Sequence, residues 1–203
     1  MINIYLDCET TGINPYYNEV IEAYFYIDDE TNYHLKVKPD NWSYEAEQIH
    51  KISYAQSSTY PDKKTAYREL LKWLPKDFRF LTWVNKNTEL GHLNFDVAIL
   101  WNELNLLGMP NYHLENVYKM KPPISILDIA KKTANDGLFQ PLKGKSGRVS
   151  YSQANVYKAL FNESYNAHDA KEDVLALVRI HKELLRLSNE NKSDLLWINT
   201  SNS

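Results

Sequence analysis

Two carboxylates stand at alternate positions early in the chain, in Asp7-Cys8-Glu9-Thr10-Thr11-Gly12. On a strand, side chains at i and i+2 share a face, so Asp7 and Glu9 point together while Cys8 turns into the core. Neighbouring anions at the end of an apolar strand repel. A divalent cation between them removes the conflict, and carboxylate oxygens suit Mg²⁺ or Mn²⁺. An exposed acidic turn after an edge strand has the same spacing, so the pair needs company to carry meaning. Asp96 follows the apolar Phe95 near a helix start, where the helix dipole alone favours an acid. Asp173 sits beside Val174 and Leu175 in an apolar helix, and His168 precedes it by five positions. Each has a bland reading by itself: a solvated helix face for Asp173, an ordinary loop imidazole for His168.

The elements that must position these residues follow from apolar periodicity. Residues 2–6, 20–27 and 33–37 read as three strands of a meander, the last two joined by the polar turn Asp28-Asp29-Glu30-Thr31-Asn32. The period then becomes helical over 44–52 and 64–74, and Pro75 closes the second helix. Residues 80–84 read as a fourth strand, 94–107 as a helix stopped by Gly108, and 124–127 as a short fifth strand entering a helix near Asp128. Helices at 152–161 and 170–187 follow, the last with a stripe of Val174, Leu177, Val178, Ile180, Leu184 and Leu185. Strands first, then strands alternating with helices, predict an α/β fold: a five-stranded sheet covered by helices.

In combination the residues resemble the DEDDh 3′→5′ exonuclease superfamily, the group typified by the proofreading subunit of bacterial DNA polymerase III. The first motif of that group, Asp-x-Glu-Thr-Thr-Gly, is matched in full at Asp7–Gly12. The second, Asp preceded by Phe, is matched at Phe95-Asp96. The third is matched by His168, Ala170 and Asp173. His50-Lys51-Ile52 is similar to a His-Gly-Ile signature lying between the first two motifs, and Glu22 stands where members often carry an acid. The sequence departs at Gly91-His92, where members show His-Asn. Position 169 is Asp, whereas the sister group has Tyr there, so the His type fits better.

The resemblance implies a ribonuclease-H-like fold with a mixed sheet. It also implies two Mg²⁺ or Mn²⁺ ions held by Asp7, Glu9, Asp96 and Asp173, which support hydrolysis of a phosphodiester. His168 is implied as general base, a role imidazole suits because it titrates near neutrality. Backbone around Glu9, Thr10 and Thr11 is implied to contact the terminal nucleotide, with Gly12 letting the chain turn closely past it. Tyr16, Tyr17 and His50 are candidates for stacking on unpaired bases, although most of the 15 tyrosines must be ordinary packing. Single-stranded or frayed DNA is the expected substrate. Trimming of RNA 3′ ends by the same acids is the alternative within enzymes, and a non-catalytic nucleic-acid-binding subunit the alternative outside them.

Bulk properties bound these readings. With 203 residues, 43% hydrophobic and 24% charged, the chain is of ordinary globular composition and long enough for one well-buried domain. A domain over 1–188 and a tail over 189–203 are expected, the tail's apolar patch Leu195-Leu196-Trp197-Ile198 suiting a contact with a polymerase or other protein partner. No run approaches the roughly 18 apolar residues that span a bilayer, so no membrane role is expected. A lone Cys8 and an acid at position 7, ahead of any signal-like apolar core, suggest a cytoplasmic setting. The net charge of −3 excludes a general nucleic-acid coat protein, but it is unevenly spread. Between Lys119 and Arg148 seven bases face two acids, a local net of +5 that leaves −8 elsewhere. Lys143, Lys145 and Arg148 in this stretch form a Gly-rich segment without P-loop spacing, read as a mobile flap that tracks phosphates.

Overall fold

Strand β1 (Ile2–Thr10) buries Ile4 and Leu6 completely and sits in the middle of a five-stranded sheet of order β3-β2-β1-β4-β5. It pairs antiparallel with β2 (Val20–Tyr26) and parallel with β4 (Phe78–Thr82). β3 (Asn32–Lys36) continues the antiparallel meander on β2, and β5 (Lys121–Ser125) adds in parallel to β4. The sheet is therefore mixed and flanked by helices, in a ribonuclease-H-like arrangement. β1 runs to Thr10 and so reaches past the expected end at residue 6. The acids Asp7 and Glu9 consequently lie within a central strand, which removes the reading as an acidic turn beyond an edge strand. The computed structural model describes residues 1–83, 94–108 and 119–200, with side chains through residue 190. The departing pair Gly91-His92 and the side chains of the tail patch 195–198 fall outside those residues.

Two compact units are formed, one of Met1–Ser125 with Asn166–Val174, the other of Ile126–Tyr165 with Leu175–Ser203. The first contains the whole sheet and helices α1 (Tyr44–His50), α2 (Tyr54–Ser57), α3 (Lys63–Trp73) and α4 (Phe95–Leu106). α2, a single turn, has too few residues to show a period and is absent from the sequence expectation. Each of these helices starts on a short polar side chain that accepts a backbone N–H three residues on: Ser43, Ser53, Asp62 and Asn94. The core joins Ile4, Leu6, Phe25 and Phe80 of the sheet to Tyr67, Leu70, Ile99 and Leu104 of the helices. Its aromatic centre is close: Phe25 lies 6.0 Å from both Phe80 and Trp73, ring centre to ring centre. β2 is buried at every position, so Glu22 is enclosed along with its apolar neighbours.

The segment leaving β1 is tied down at both ends. The Thr11 N–H donates to the Glu19 carbonyl at 2.9 Å, and the Glu19 N–H donates to the Thr11 hydroxyl at 3.0 Å. A Cβ at Gly12 would lie 2.7 Å from the Asn18 side chain, which would have to move to admit it. The Glu19 carboxylate accepts from the Asp40 N–H and is paired with Lys63 at 3.1 Å. Lys63 also reaches Asp40 at 3.0 Å and the buried Glu103 at 3.4 Å. Tyr67 donates its hydroxyl hydrogen bond to the same Glu103 carboxylate. One ammonium thus links the end of the first-motif loop to α3 and α4.

The second unit holds α5 (Ile126–Asn135), α6 (Gln153–Phe161) and the part of α7 (Ala170–Thr200) beyond Val174. The last helix runs on past the expected end at residue 187. Within this unit Arg179 lies 4.1 Å from the Phe161 ring centre and pairs with Glu163 at 2.6 Å. The segment from Lys143 to Arg148 is a hydrogen-bonded hairpin, closed by a Lys143–Val149 bridge and by Gly144 N–H donating to the Arg148 carbonyl at 2.8 Å. Gly147, in left-handed backbone at φ 77°, lets the chain reverse tightly in the segment expected to be a flap. Among the described residues no helix is long and apolar enough to cross a membrane.

Asn94 shows how the fold sets the site. Its side chain accepts the Val97 N–H at 3.1 Å and donates to the buried Thr82 hydroxyl, pinning the start of α4 to the end of β4. Asn94→Ala is expected to lower stability by about 1–2 kcal/mol in urea unfolding, and Asn94→Ser to recover part of it as a shorter cap. Equal stabilities for the two variants would show that the cap contributes nothing.

Candidate functional site

Strand alternation sends Asp7 and Glu9 to one face of β1, with Cys8 packed on the core side. A register irregularity between Glu9 and Thr10 ends the regular pairing with β2 at this point. The first turn of α4 supplies Asp96, buried, and the first turn of α7 supplies Asp173, also buried. One oxygen each from Asp7, Glu9 and Asp173 lie within 4.8 Å of one another. Asp96 is outside that triangle, but its charge acts on both Asp7 and Glu9, and backbone N–H groups of Asp96 itself and of Cys8 donate to it.

The electrostatics of this cluster are unfavourable by themselves. Burial, and then the charges of Asp96 and Asp173, push Asp7 well above the ordinary carboxylate range. Burial followed by Asp173, Asp96, Asp169 and Glu22 does the same to Glu9. Asp96 is also raised, mainly by burial. No cationic side chain offsets Asp7 or Glu9 among the causes of these shifts. The donor set is all oxygen and all acidic, which fits a hard divalent cation such as Mg²⁺ or Mn²⁺ and not a thiolate- or imidazole-seeking metal.

His168 and Asp169 form the entry to α7. His168 adopts left-handed backbone at φ 68°, which is unusual for a non-glycine residue. That turn aims its N–H at the Asp173 carboxylate, 2.7 Å away. The Asp169 side chain accepts the N–H groups of Lys171 and Glu172, both at 3.1 Å, and so caps the helix. The His168 imidazole is exposed and lines a cleft of about 240 Å³ together with Glu9, Glu22, His50 and Asp169.

The far wall of this cleft is a second polar group. Glu22 faces Glu9 across the β1–β2 ladder. Burial disfavours its charge, but hydrogen bonds from His34 at 2.7 Å and from Tyr60, with Lys36 at 3.5 Å, outweigh this and lower its pKa. His50, at the end of α1, is only 7% exposed, and burial lowers its pKa. Its Nδ1 accepts the Ile52 N–H at 3.0 Å, which leaves the proton of the neutral ring on Nε2. That buried donor has no hydrogen-bond partner among the described residues.

The candidates named from sequence thus fall into three groups. Asp7, Glu9, Asp96, His168 and Asp173 meet at one end of the sheet, with His50 and Glu22 on the adjoining cleft. Thr10, Thr11, Gly12 and Tyr16 belong to the loop leaving β1. Thr11 is buried and its hydroxyl closes that loop, the Thr10 hydroxyl donates to the Gly12 carbonyl at 2.7 Å, and neither Tyr16 nor the exposed Tyr17 lines the cleft. Lys143, Lys145 and Arg148 are exposed on the hairpin of the second unit. The sequence reading missed Asn94, Asp169, His34, Lys36, Lys51 and Gln56. Only the first two carried a local signal, an Asn or Asp directly before a helical run. The others reach the cleft through strand pairing and a turn, which no short-range pattern reports.

A family model described as Exonuclease matches residues 4–181. Among solved structures, the chain is similar to E. coli exonuclease I in complex with a dT13 oligonucleotide, at a TM-score of 0.76 and 18% identity over 96% of this chain and 43% of that one. It is likewise similar to the same enzyme in complex with dA16 (TM-score 0.74, 18% identity, 93% and 42% covered). The zinc-bound form of the E. coli ExoI–ssDNA complex gives 0.70 at 19% identity, with 97% and 42% covered. The chain therefore spans less than half the length of these exonuclease I chains. No curated protein matches its sequence.

The raised carboxylates make a pH prediction for the cation-free protein. Because Asp7, Glu9 and Asp96 hold protons more tightly folded than unfolded, the folded state binds more protons above the ordinary carboxylate range. Stability must then fall as pH rises from that range towards neutrality. Thermal unfolding in EDTA should show this decline. Millimolar Mn²⁺ should raise the midpoint near neutrality and flatten the slope, and a midpoint indifferent to Mn²⁺ would argue against a cation at these acids.

Proposed function

The chain belongs to the exonuclease family, of the DEDDh type, and from that premise we propose that it hydrolyses the terminal phosphodiester at the 3′ end of an unpaired DNA strand, releasing nucleoside monophosphates one at a time. The observation that carries this reading is the convergence of Asp7, Glu9 and Asp173 within 4.8 Å, with Asp96 buried behind them and His168 beside Glu9 on the same cleft. DNA is favoured as substrate because the similar E. coli enzyme is described with dT13 and dA16.

Two divalent cations, Mg²⁺ or Mn²⁺, held by Asp7, Glu9, Asp96 and Asp173, would supply the Lewis acidity that activates water and stabilises the leaving oxygen. The protein's own contribution is positional. Asp173 fixes the His168 backbone through the 2.7 Å hydrogen bond, so the base is set relative to the acids. The His168 imidazole, exposed on the cleft wall, accepts the proton of the attacking water. Its neighbour Asp169 holds the start of α7 in place. The His50 Nε2–H offers a hydrogen bond to the terminal nucleotide. The backbone from Thr10 to Gly12 borders the strand end, its course fixed by the Thr11–Glu19 hydrogen bonds. The exposed bases Lys143, Lys145 and Arg148 attract the phosphate backbone.

The test is digestion of 5′-labelled single-stranded DNA and the matching RNA with Mg²⁺ or Mn²⁺. The expected result is a ladder shortening from the 3′ end, faster on DNA, abolished by EDTA and by Asp7→Ala. His168→Ala should slow cleavage by about 10²–10⁴-fold, the usual contribution of a general base. An Asp7→Ala protein that cuts at the normal rate would sink the assignment.

A separate measurement addresses the hairpin. In a cleavage-deficient Asp7→Ala background, the double variant Lys143→Glu, Lys145→Glu should bind single strands more weakly and with a shallower dependence on salt. An unchanged salt slope would remove the hairpin from the binding surface.

A further inference from the structure

From His50 the lining of the cleft continues outwards as two further rings, Trp42 and Tyr54, that the catalytic reading leaves without a task. His50 is 7% exposed and stands on the cleft. Trp42 meets it edge-on at 6.3 Å, and Tyr54 meets Trp42 edge-on at 5.8 Å. Trp42 is half-buried and Tyr54 is 60% exposed, so the row climbs step by step from the cleft to solvent. It is held by capped turns on both sides: Ser43 starts α1 directly after Trp42, and Ser53 starts α2 directly before Tyr54. Lys51, exposed in left-handed backbone between the two helices, lines the cleft, as does Lys36.

We propose that Trp42 and Tyr54 form a stacking platform for the unpaired bases immediately upstream of the strand end held in the cleft. The proposal rests on the nuclease reading above. A single strand is the occupant that fits, for three reasons. The row is continuous with the cleft through His50, so whatever lies on it is connected to what lies beside Glu9 and His168. Its neighbour Lys51 carries the charge opposite to phosphate. The rings, 5.8 and 6.3 Å apart and edge-on to one another, give aromatic surface that accepts a base of any sequence, with the exposed Tyr54 its outermost member, which suits an enzyme that must accept whichever base comes next. This assigns aromatic contacts after β3, in the turns around α1 and α2. A duplex end cannot use this platform without unpairing, so it also sets a preference for single-stranded or frayed ends.

The experiment compares wild type with Tyr54→Ala, Trp42→Ala and Trp42→Phe on 5′-labelled single strands of two and twelve nucleotides. Tyr54 is exposed, so its variant keeps the test meaningful if Trp42→Ala unfolds. The ratio of kcat/KM on the twelve-mer to kcat/KM on the dinucleotide should fall about tenfold in Tyr54→Ala and Trp42→Ala, and Trp42→Phe should retain most of it. A twelve-mer carrying 2-aminopurine near its 3′ end gives a direct signature. Stacking quenches the analogue on wild type, and the two alanine variants should restore its emission. A wild type that cuts both strands while the alanine variants keep the ratio and the quenching overturns the platform alone. A wild type that neither cuts nor binds any strand overturns the nuclease reading, and the platform with it.

Discussion

Repulsion among buried carboxylates is the constraint around which the first unit is built. Asp7, Glu9, Asp96 and Asp173 come from three elements; Asp96 and Asp173 raise the cost of ionising Asp7 and Glu9, and Asp173 raises that of Asp96. Nothing in such a cluster holds itself together. The acids stay close because their backbones are fixed by unrelated interactions: β1 by ladders on both sides, α4 by Asn94 bound to Thr82, and α7 by the Asp169 cap and the His168 N–H on Asp173. Stability is given up locally to hold together an acidic cluster that could take a metal ion, a common arrangement at functional sites.

A neighbouring buried acid follows the opposite rule. Glu22, one ladder step from Glu9, is surrounded by His34, Lys36 and Tyr60 and is held as an anion below its ordinary pKa. Glu19 and Glu103 share Lys63, with Tyr67 completing the group, yet burial still raises Glu103 to about 7. The contrast between Glu22 and Glu9 comes from their partners and not from burial, since both are buried.

The cleft brings the two kinds together. Glu9, His168 and Asp169 line it together with Glu22, His34, Lys36 and His50, and an aromatic row leads outwards from His50. The single strand proposed as ligand would meet both features, its end at the acids and its bases on the rings. The hairpin with Lys143, Lys145 and Arg148 belongs to the other unit and is built differently, by backbone hydrogen bonds around Gly144 and Gly147.

Much of this was legible in the sequence, because the relevant rules are local. Alternation puts Asp7 and Glu9 on one face of a strand, apolar stripes mark α3, α4 and α7, and the spacing from His168 to Asp173 fits a loop entering a helix. The strands of the meander were visible for the same reason, with ends shifted by a few residues where pairing partners, and not composition, decide how far a strand runs. What the sequence alone determined is therefore which acids come together and the class of fold. The tertiary structure decided the rest. It made β1 central instead of an edge, turned Thr11 inwards to close a loop, and set Glu22 opposite Glu9. Among the described residues it also left the His50 Nε2–H unpartnered and lined up Trp42 and Tyr54 next to it. Each of these depends on which distant segment lies alongside, a matter of register and packing between residues far apart in the chain, and no local pattern encodes it.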